Sequence, residues 1–236
     1  MAQGSRRMTP AVEVRDLSFS YGATQALAGV SISIAPGERV GVAGANGSGK
    51  STLLWCLLGL LPASGEVRIF GEKLGRNPPR RAALVFQNPE DQLFMPSLAD
   101  DAALTLLNRG EDPVRARAAA LEALRAVGLE DLAGREASQL SLGQRKRAAI
   151  AVALAASPEL LLLDEPTAEL DGRSVRQLSS LLPGLAGTQI VATHHLEFLR
   201  AVTSRTLVLG GGTILEDGPT SEILANHPLL ERAGLI

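Results

Sequence analysis

The chain has 236 residues, of which 45% are hydrophobic and 20% charged, enough apolar material for one large domain. A formal net charge of −2 excludes a disordered chain and offers no positive field for binding nucleic acid by its phosphates. The single cysteine, Cys56, excludes a disulfide framework and fits a reducing compartment. No apolar run approaches the roughly 20 residues of a membrane helix. Residues 1–10 lack the apolar run of a secretory signal, so we expect no span, no signal and no direct lipid insertion.

Hydrophobic patterns predict strands and helices that alternate along most of the chain. Strands are predicted at residues 30–34, 39–43, 66–70, 84–86, 160–163 and 189–193, with a hairpin formed by 206–209 and 213–215. Helices are predicted at residues 51–61, 112–127 and 144–156. This alternation favours an α/β fold with a mainly parallel sheet. Residues 88–140 are predicted to be a helical subdomain inserted into a single domain, whose core is formed by 1–87 and 141–236.

A glycine-rich segment follows the strand predicted at 39–43. Residues 44–51, GANGSGKS, match the phosphate-loop pattern G-x-x-x-x-G-K-[ST] at every fixed position. The glycines let the backbone curl so that its N–H groups point at phosphates, and the following helix adds its partial positive charge. We expect Lys50 to reach the β- and γ-phosphates and Ser51 to ligate Mg²⁺. The predicted phosphate-binding set is Gly44, Ala45, Asn46, Gly47, Ser48, Gly49, Lys50, Ser51 and Thr52.

Two acidic residues follow the apolar run Leu160–Leu163. At a strand end, Asp164 can orient a Mg²⁺-bound water and Glu165 can polarise the attacking water as a general base. The alternative is a buried strand that ends in two solvated acids. Together with the phosphate loop, these residues indicate a phosphate-loop nucleotide hydrolase.

The motif LSLGQ at residues 140–144 precedes a basic helix and the acidic strand. In this order and spacing the chain resembles the nucleotide-binding subunits of ATP-binding cassette (ABC) proteins, whose signature is LSGGQ. The resemblance implies an antiparallel β subdomain at the N-terminus, and it implies that Ser141, Gly143 and Gln144 contact the ATP held by a second subunit of a head-to-tail dimer. Leu142 departs from the family by replacing a glycine. A simple helix-capping role for Ser141 is the alternative.

Further elements of the family follow in order. The resemblance implies that Tyr21 stacks on adenine and that Gln87 senses Mg²⁺, so that the metal set is Ser51, Gln87 and Asp164. It also makes Asp171 part of the loop that links the two sites. His194 matches the histidine that contacts the γ-phosphate, which makes Lys50, Glu165 and His194 the catalytic set. A metal site at His194 and His195 is the alternative, but neighbouring side chains on a strand end point in opposite directions.

The segment FQNPEDQLF at residues 86–94 resembles the ATPases of energy-coupling-factor importers, which carry vitamins, cobalt or nickel. The short chain end after the hairpin resembles the cobalt and nickel branch. This likeness implies an ATPase on the cytoplasmic face of the membrane, bound to integral membrane subunits, as a homodimer or with a second ATPase. The alternatives are a vitamin importer, a soluble ABC ATPase of cofactor assembly, and a nucleotide-binding module without hydrolysis.

Overall fold

A computed structural model describes residues 9–75 and 77–236, so the predicted absence of a signal falls largely outside the described residues. The strands are β1 Val12–Tyr21, β2 Thr24–Ile34, β3 Arg39–Ala43, β4 Ser64–Ile69, β5 Glu72–Lys73, β6 Ala82–Val85, β7 Leu160–Asp164, β8 Thr188–Thr193, β9 Arg205–Gly210 and β10 Thr213–Pro219. The helices are α1 Lys50–Leu57, α2 Leu98–Asn108, α3 Pro113–Ala126, α4 Leu142–Ala155, α5 Gly172–Leu181, α6 Leu196–Val202, α7 Thr220–Ala225 and α8 His227–Arg232.

Two sheets organise these elements. The larger sheet has the order β10-β9-β3-β8-β7-β6, in which all neighbours are parallel except the β9–β10 hairpin at one edge. The smaller sheet, β2-β1-β4-β5, is antiparallel. The mainly parallel sheet, the N-terminal antiparallel sheet and the terminal hairpin are therefore confirmed.

The burial of each strand follows from its residue pattern. Every residue of β7 is buried, as expected for a parallel strand that is covered on both faces. In β2, Val30, Ile32 and Ile34 are buried while Ser31 and Ser33 are exposed, as their alternation predicted. One hydrophobic core lies between the antiparallel sheet, α1 and the large sheet. A second contains buried residues of α2, α3 and α4 together with the large sheet.

In the sequence, helices α2 and α3 lie between β6 and α4. In space they pack against each other and against α4. Helix α3 is followed by Gly128, whose backbone lies in the left-handed region, and it buries Ala116, Ala120 and Leu124. Val114, in the first turn of α3, is 77% exposed. No helix in the described part of the chain is long and apolar enough to cross a membrane.

Some boundaries and elements differ from the sequence prediction. Helix α1 ends at Leu57 rather than at residue 61, because Gly59 adopts a φ of 72° that leaves the helical region. Strand β1 and helix α2 were not predicted. For α2 the signals were present, since Ser97 caps its first turn by accepting a hydrogen bond from the backbone N–H of Asp100.

Gly65 allows β4 to approach the backbone of its antiparallel neighbour β1 closely, and it gives a test of this sheet. Its φ is 96°, and an added Cβ would lie 2.4 Å from the carbonyl oxygen of Asp16. We expect Gly65→Ala to lower the free energy of unfolding by about 1–3 kcal/mol, because both the backbone and the packing oppose it. At Gly184 an added Cβ meets no atom within 4 Å. Urea unfolding should therefore show less than about 0.5 kcal/mol for Gly184→Ala, and equal losses would contradict this explanation.

Candidate functional site

The loop between β3 and α1 can be formed only with glycine at several positions. Gly47 and Gly49 have φ values of 80° and 105°, and an added Cβ on Gly49 would lie 2.6 Å from the carbonyl oxygen of Ala26. An added Cβ on Gly44 would lie 2.5 Å from the carbonyl oxygen of Leu209. The loop is therefore held between β2 and β9, with the first turn of α1 behind it.

Lys50 begins α1 and is only 5% exposed. Its Nζ donates to the carbonyl oxygens of Gly44 and Ala45, at 2.8 and 3.1 Å. The same Nζ lies 3.1 Å from Oε1 of Glu165. One ammonium group thus connects the glycine loop at the end of β3 with the acidic residue that follows β7.

Glu165 is 5% exposed and has a φ of 42°, which is rare for a residue that carries a Cβ. Its carboxylate accepts a hydrogen bond from Oγ1 of Thr193 at 2.8 Å and lies 3.0 Å from Nδ1 of His194. An ionised carboxylate only accepts, so Nδ1 of His194 carries the proton. Burial alone would raise the pKa of Glu165, but the bonds from His194 and Thr193 and the charge of Lys50 hold it below its usual value. The carboxylate is thus kept ionised inside the protein.

Asp164 ends β7 and is 2% exposed. Its Oδ1 accepts a hydrogen bond from Oγ of Ser51 at 3.0 Å. Burial raises the pKa of Asp164, and the Ser51 bond offsets only part of this effect. The three residues predicted to hold Mg²⁺, Ser51, Gln87 and Asp164, line one cavity of about 330 Å³. A buried carboxylate with a hydroxyl and an amide beside it supplies the oxygen ligands that Mg²⁺ prefers, so these residues fit the ion.

A second cavity of about 520 Å³ brings Tyr21 to the glycine loop. Tyr21 ends β1, is 49% exposed, and meets Phe19 edge to face with ring centroids 4.8 Å apart. Half of the predicted site residues line this cavity, namely Tyr21, Asn46, Gly47, Gly49, Lys50, Ser51, Thr52, Gln87 and Glu165. The cavity therefore extends from an exposed aromatic ring to the buried carboxylate.

Ser141, Gly143, Gln144 and Asp171 are not among the described residues that line either cavity. Ser141 is exposed and caps α4, where the Ser141 and Gln144 side chains each accept the other's backbone N–H in a capping box. An added Cβ on Gly143 would lie 2.5 Å from Oγ of Ser174, so the start of α4 packs closely on α5. Asp171 caps α5. Leu142, the departure from the signature, lines the smaller cavity.

The adjacent histidines have different partners. His194 contacts Glu165, whereas Nδ1 of His195 accepts the backbone N–H of Phe198 at 3.0 Å and caps α6. The two rings thus serve separate purposes at this strand end.

Two residues of the site, Thr193 and Lys146, were not predicted from the sequence. Thr193 is fully buried at the end of β8, and its hydroxyl donates to Glu165 while accepting the N–H of His195. Lys146 is 3% exposed, and its Nζ donates to the carbonyl oxygens of Gln87 and Glu165. Burial lowers the pKa of this lysine, against the pull of the carboxylates of Glu169, Glu165 and Asp164. A signal for Lys146 existed, because helical spacing places it on the same face as the buried residues Ala149, Ile150 and Ala153.

The family model for ABC transporters matches residues 27–168. The chain belongs to this family. It is 40% identical to the nickel import ATP-binding protein NikO of Rhodobacter capsulatus, over 97% of each chain. It is 39% identical to the cobalt import ATP-binding protein CbiO of the same organism, over 97% of this chain and 85% of that one. As a member of the ABC transporter family, this chain binds ATP and hydrolyses it to drive transport.

Solved structures agree with this assignment. The structure of CbiO1 from Clostridium perfringens, described as part of the ABC transporter complex CbiONQ, covers 96% of this chain with a TM-score of 0.84 and 30% identity. That comparison spans 95% of the CbiO1 chain. A nucleotide-free ATP-binding cassette of an ABC transporter shares the fold, with a TM-score of 0.83 over 94% of this chain.

The hydroxyl of Thr193 can be tested by removing it alone. We expect Thr193→Val to lower the free energy of unfolding by about 1–3 kcal/mol, because the buried Glu165 carboxylate loses a donor and the His195 N–H loses its acceptor. The hydroxyl of Thr213 lies at a partly exposed hairpin, where it donates to the carbonyl oxygen of Gly210. Thr213→Val should cost less than about 0.5 kcal/mol in the same urea unfolding measurement. A loss at Thr193 no larger than at Thr213 would contradict the role given to this hydroxyl.

Proposed function

We propose that this chain is the ATP-hydrolysing subunit of an energy-coupling-factor type importer for nickel or cobalt ions. The observation that carries the proposal is the likeness to the nickel and cobalt import proteins NikO and CbiO, which extends over 97% of this chain. The likeness to CbiO1, described as part of a transporter complex, supports a function together with membrane subunits. The whole chain would form a single ATPase domain, with residues 88–140 as its inserted helical subdomain.

The docking surface for the membrane subunits would lie beside the segment that follows Gln87. A groove of about 320 Å³ is lined there by Glu90, Leu93, Phe94, Met95, Glu136, Ala137, Ser138 and Arg145. Phe94 is 67% exposed. The buried Asp101 fixes the loop, since its Oδ1 accepts the backbone N–H groups of Phe94 and Met95. An exposed aromatic ring on a fixed loop suits a protein contact. The chain would thus lie on the cytoplasmic face of the membrane, bound through its partners.

Within one subunit, the two cavities would hold one ATP. Tyr21 would stack on the adenine, and the N–H groups of residues 44–52 would surround the phosphates. Ser51, Gln87 and Asp164 would hold Mg²⁺, which neutralises charge on the phosphates when bound. Lys50 would move from the loop carbonyls to the phosphate oxygens, and Glu165 would take a proton from the attacking water. His194 would turn its Nδ1–H from Glu165 to the γ-phosphate and stabilise its developing charge.

The second part of the site would come from another copy of the chain. Ser141, Gly143, Gln144 and Asp171 lie away from the two cavities, yet Ser141 is exposed at the N-terminus of a fourteen-residue helix. A helix N-terminus with a hydroxyl and free N–H groups is suited to binding a phosphate. Two copies arranged head to tail would enclose two ATP molecules, each held by the phosphate loop of one copy and the α4 terminus of the other.

Replacement of Glu165 tests the assignment of the base. We expect Glu165→Gln to reduce the turnover of MgATP by about 100-fold or more, since the amide cannot accept the proton of water. ATP binding should persist, and the variant should accumulate as an ATP-bound dimer in size-exclusion chromatography. Glu197→Gln is the matched control, because Glu197 is an exposed residue of α6 outside the two cavities. Hydrolysis by Glu165→Gln at the wild-type rate would disprove the role of the base.

Transport can be measured in the host organism. Cells that lack this gene should accumulate less nickel or cobalt from trace concentrations, and the wild-type gene should restore uptake while the Glu165→Gln gene should not. If these cells take up metal normally but take up less vitamin, the transported substrate is a vitamin and not nickel or cobalt. Unchanged uptake of both would favour a soluble ATPase of cofactor assembly.

A further inference from the structure

The geometry points to Lys146 as the positioning residue that links the α4 signature helix to the two residues that act on the water, Gln87 and Glu165. This inference rests on the roles proposed above for those two residues. Lys146 itself would touch neither ATP nor water. It would act by holding the backbone on which both residues are mounted.

Lys146 lies two residues beyond Gln144, within the second turn of α4, and is 3% exposed. Its Nζ donates to the carbonyl oxygen of Gln87, just after β6, and to that of Glu165, just after β7, at 3.4 Å in the second case. Each carbonyl lies beyond the last hydrogen-bonded pair of the parallel β6–β7 ladder, which ends at Val85 and Leu163. One ammonium group therefore donates to two backbone oxygens beyond the end of this ladder, and of these the oxygen of Glu165 also accepts the N–H of Ala168 at 3.1 Å.

The backbone of Glu165 needs such support. Its φ of 42° is unfavourable for a residue with a Cβ, and such a conformation persists only where the surroundings fix it. The N–H of Glu165 donates to the carbonyl oxygen of Ala192 at 2.8 Å, and its own carbonyl accepts from the N–H of Ala168 at 3.1 Å and from Lys146 at 3.4 Å. Both polar groups of this residue are thus held from opposite sides. Loss of the Lys146 contact would leave only the N–H of Ala168 on the carbonyl side, and the position at which the carboxylate meets Lys50 and Thr193 would be less firmly fixed.

The buried charge of Lys146 is compensated by nearby carboxylates. A buried ammonium is stable only when carboxylates or several acceptors lie near it. The carboxylates of Asp164, Glu165 and Glu169 face Lys146 and pull on its proton. A neutral side chain of the same length would remove both the two hydrogen bonds and this compensation.

The next residue of α4 provides a contrast. Arg147 is also a partly buried cation, and its Nη1 donates to the carbonyl oxygen of Val127 at 2.8 Å. That bond ties α4 to the end of α3, away from the two cavities. Two consecutive cations of one helix therefore hold different backbone segments. Only the segments held by Lys146 belong to the proposed site.

The test compares purified full-length variants in steady-state hydrolysis of MgATP. We expect Lys146→Met to lower kcat by about tenfold or more, while KM and the affinity for a fluorescent ATP analogue change less than about threefold. Lys146→Arg, which keeps the charge and the donors, should recover most of kcat. Arg147→Met loses a cation and a backbone hydrogen bond as well, yet its kcat should stay within about twofold of wild type. Thermal unfolding of all variants reports any loss of stability separately.

A kcat for Lys146→Met within twofold of wild type would overturn the inference, and so would an equal fall in Arg147→Met. If Lys146→Met does not fold, Lys146→Gln replaces it under the same criteria, since it keeps a donor but loses the charge and the reach. Glu165→Gln is measured alongside. Wild-type hydrolysis in Glu165→Gln would mean that the proposed base is wrong, whereas an inactive Glu165→Gln with a fully active Lys146→Met would mean that only the role of Lys146 is wrong.

Discussion

A buried, ionised carboxylate is the constraint on which the site depends. Glu165 is nearly removed from water, and such a charge is tolerated only when donors surround it. Lys50 supplies one of these donors from the start of α1, after the loop that follows β3, and Thr193 and His194 supply the others from the end of β8. They can meet there because β8 lies between β3 and β7 in the sheet, and parallel strands end at the same edge. The strand order therefore determines which side chains reach the carboxylate, although they are far apart in the sequence.

The two hydrophobic cores fix that edge from both sides. The antiparallel sheet and α1 cover one face of the parallel sheet, and helices α2 to α4 lie with the other. The glycine loop is enclosed between β2 and β9, and an added Cβ at Gly44 or Gly49 would meet backbone oxygen at 2.6 Å or less. Backbone oxygens cannot move aside as a flexible side chain can. The shape of the phosphate loop is thus set by its neighbours as much as by its own residues.

Elements and site residues that depend on neighbours along the chain were predicted from the sequence. Those that depend on contacts between distant segments were not. The glycine loop, its strand and its helix form one continuous segment, so their pattern was sufficient, and the four leucines before Asp164 predicted a strand buried on both faces. The end of α1 was misplaced because apolar residues continue past Gly59, and conformation rather than hydrophobicity ends that helix. Thr193 and Lys146 could not be assigned in the same way, since their partners are 28 and 59 residues away. The order of residue types along the chain does not show contacts between residues so far apart.

Helix α4 connects an exposed first turn with a buried lysine that lies only five residues further along the chain. Its first turn presents Ser141 to solvent, while Lys146, five residues later, is buried against the carbonyl oxygens of Gln87 and Glu165. Five residues of an α-helix span about 7.5 Å, and a hydrogen-bonded helix of this length moves as one body. The capping box fixes Ser141 to the same body. A ligand that repositions Ser141 must therefore also shift Lys146, or else bend the helix at its first turn. The close contact of Gly143 with Ser174 opposes bending toward α5, because an added Cβ at Gly143 would already lie 2.5 Å from Oγ of Ser174.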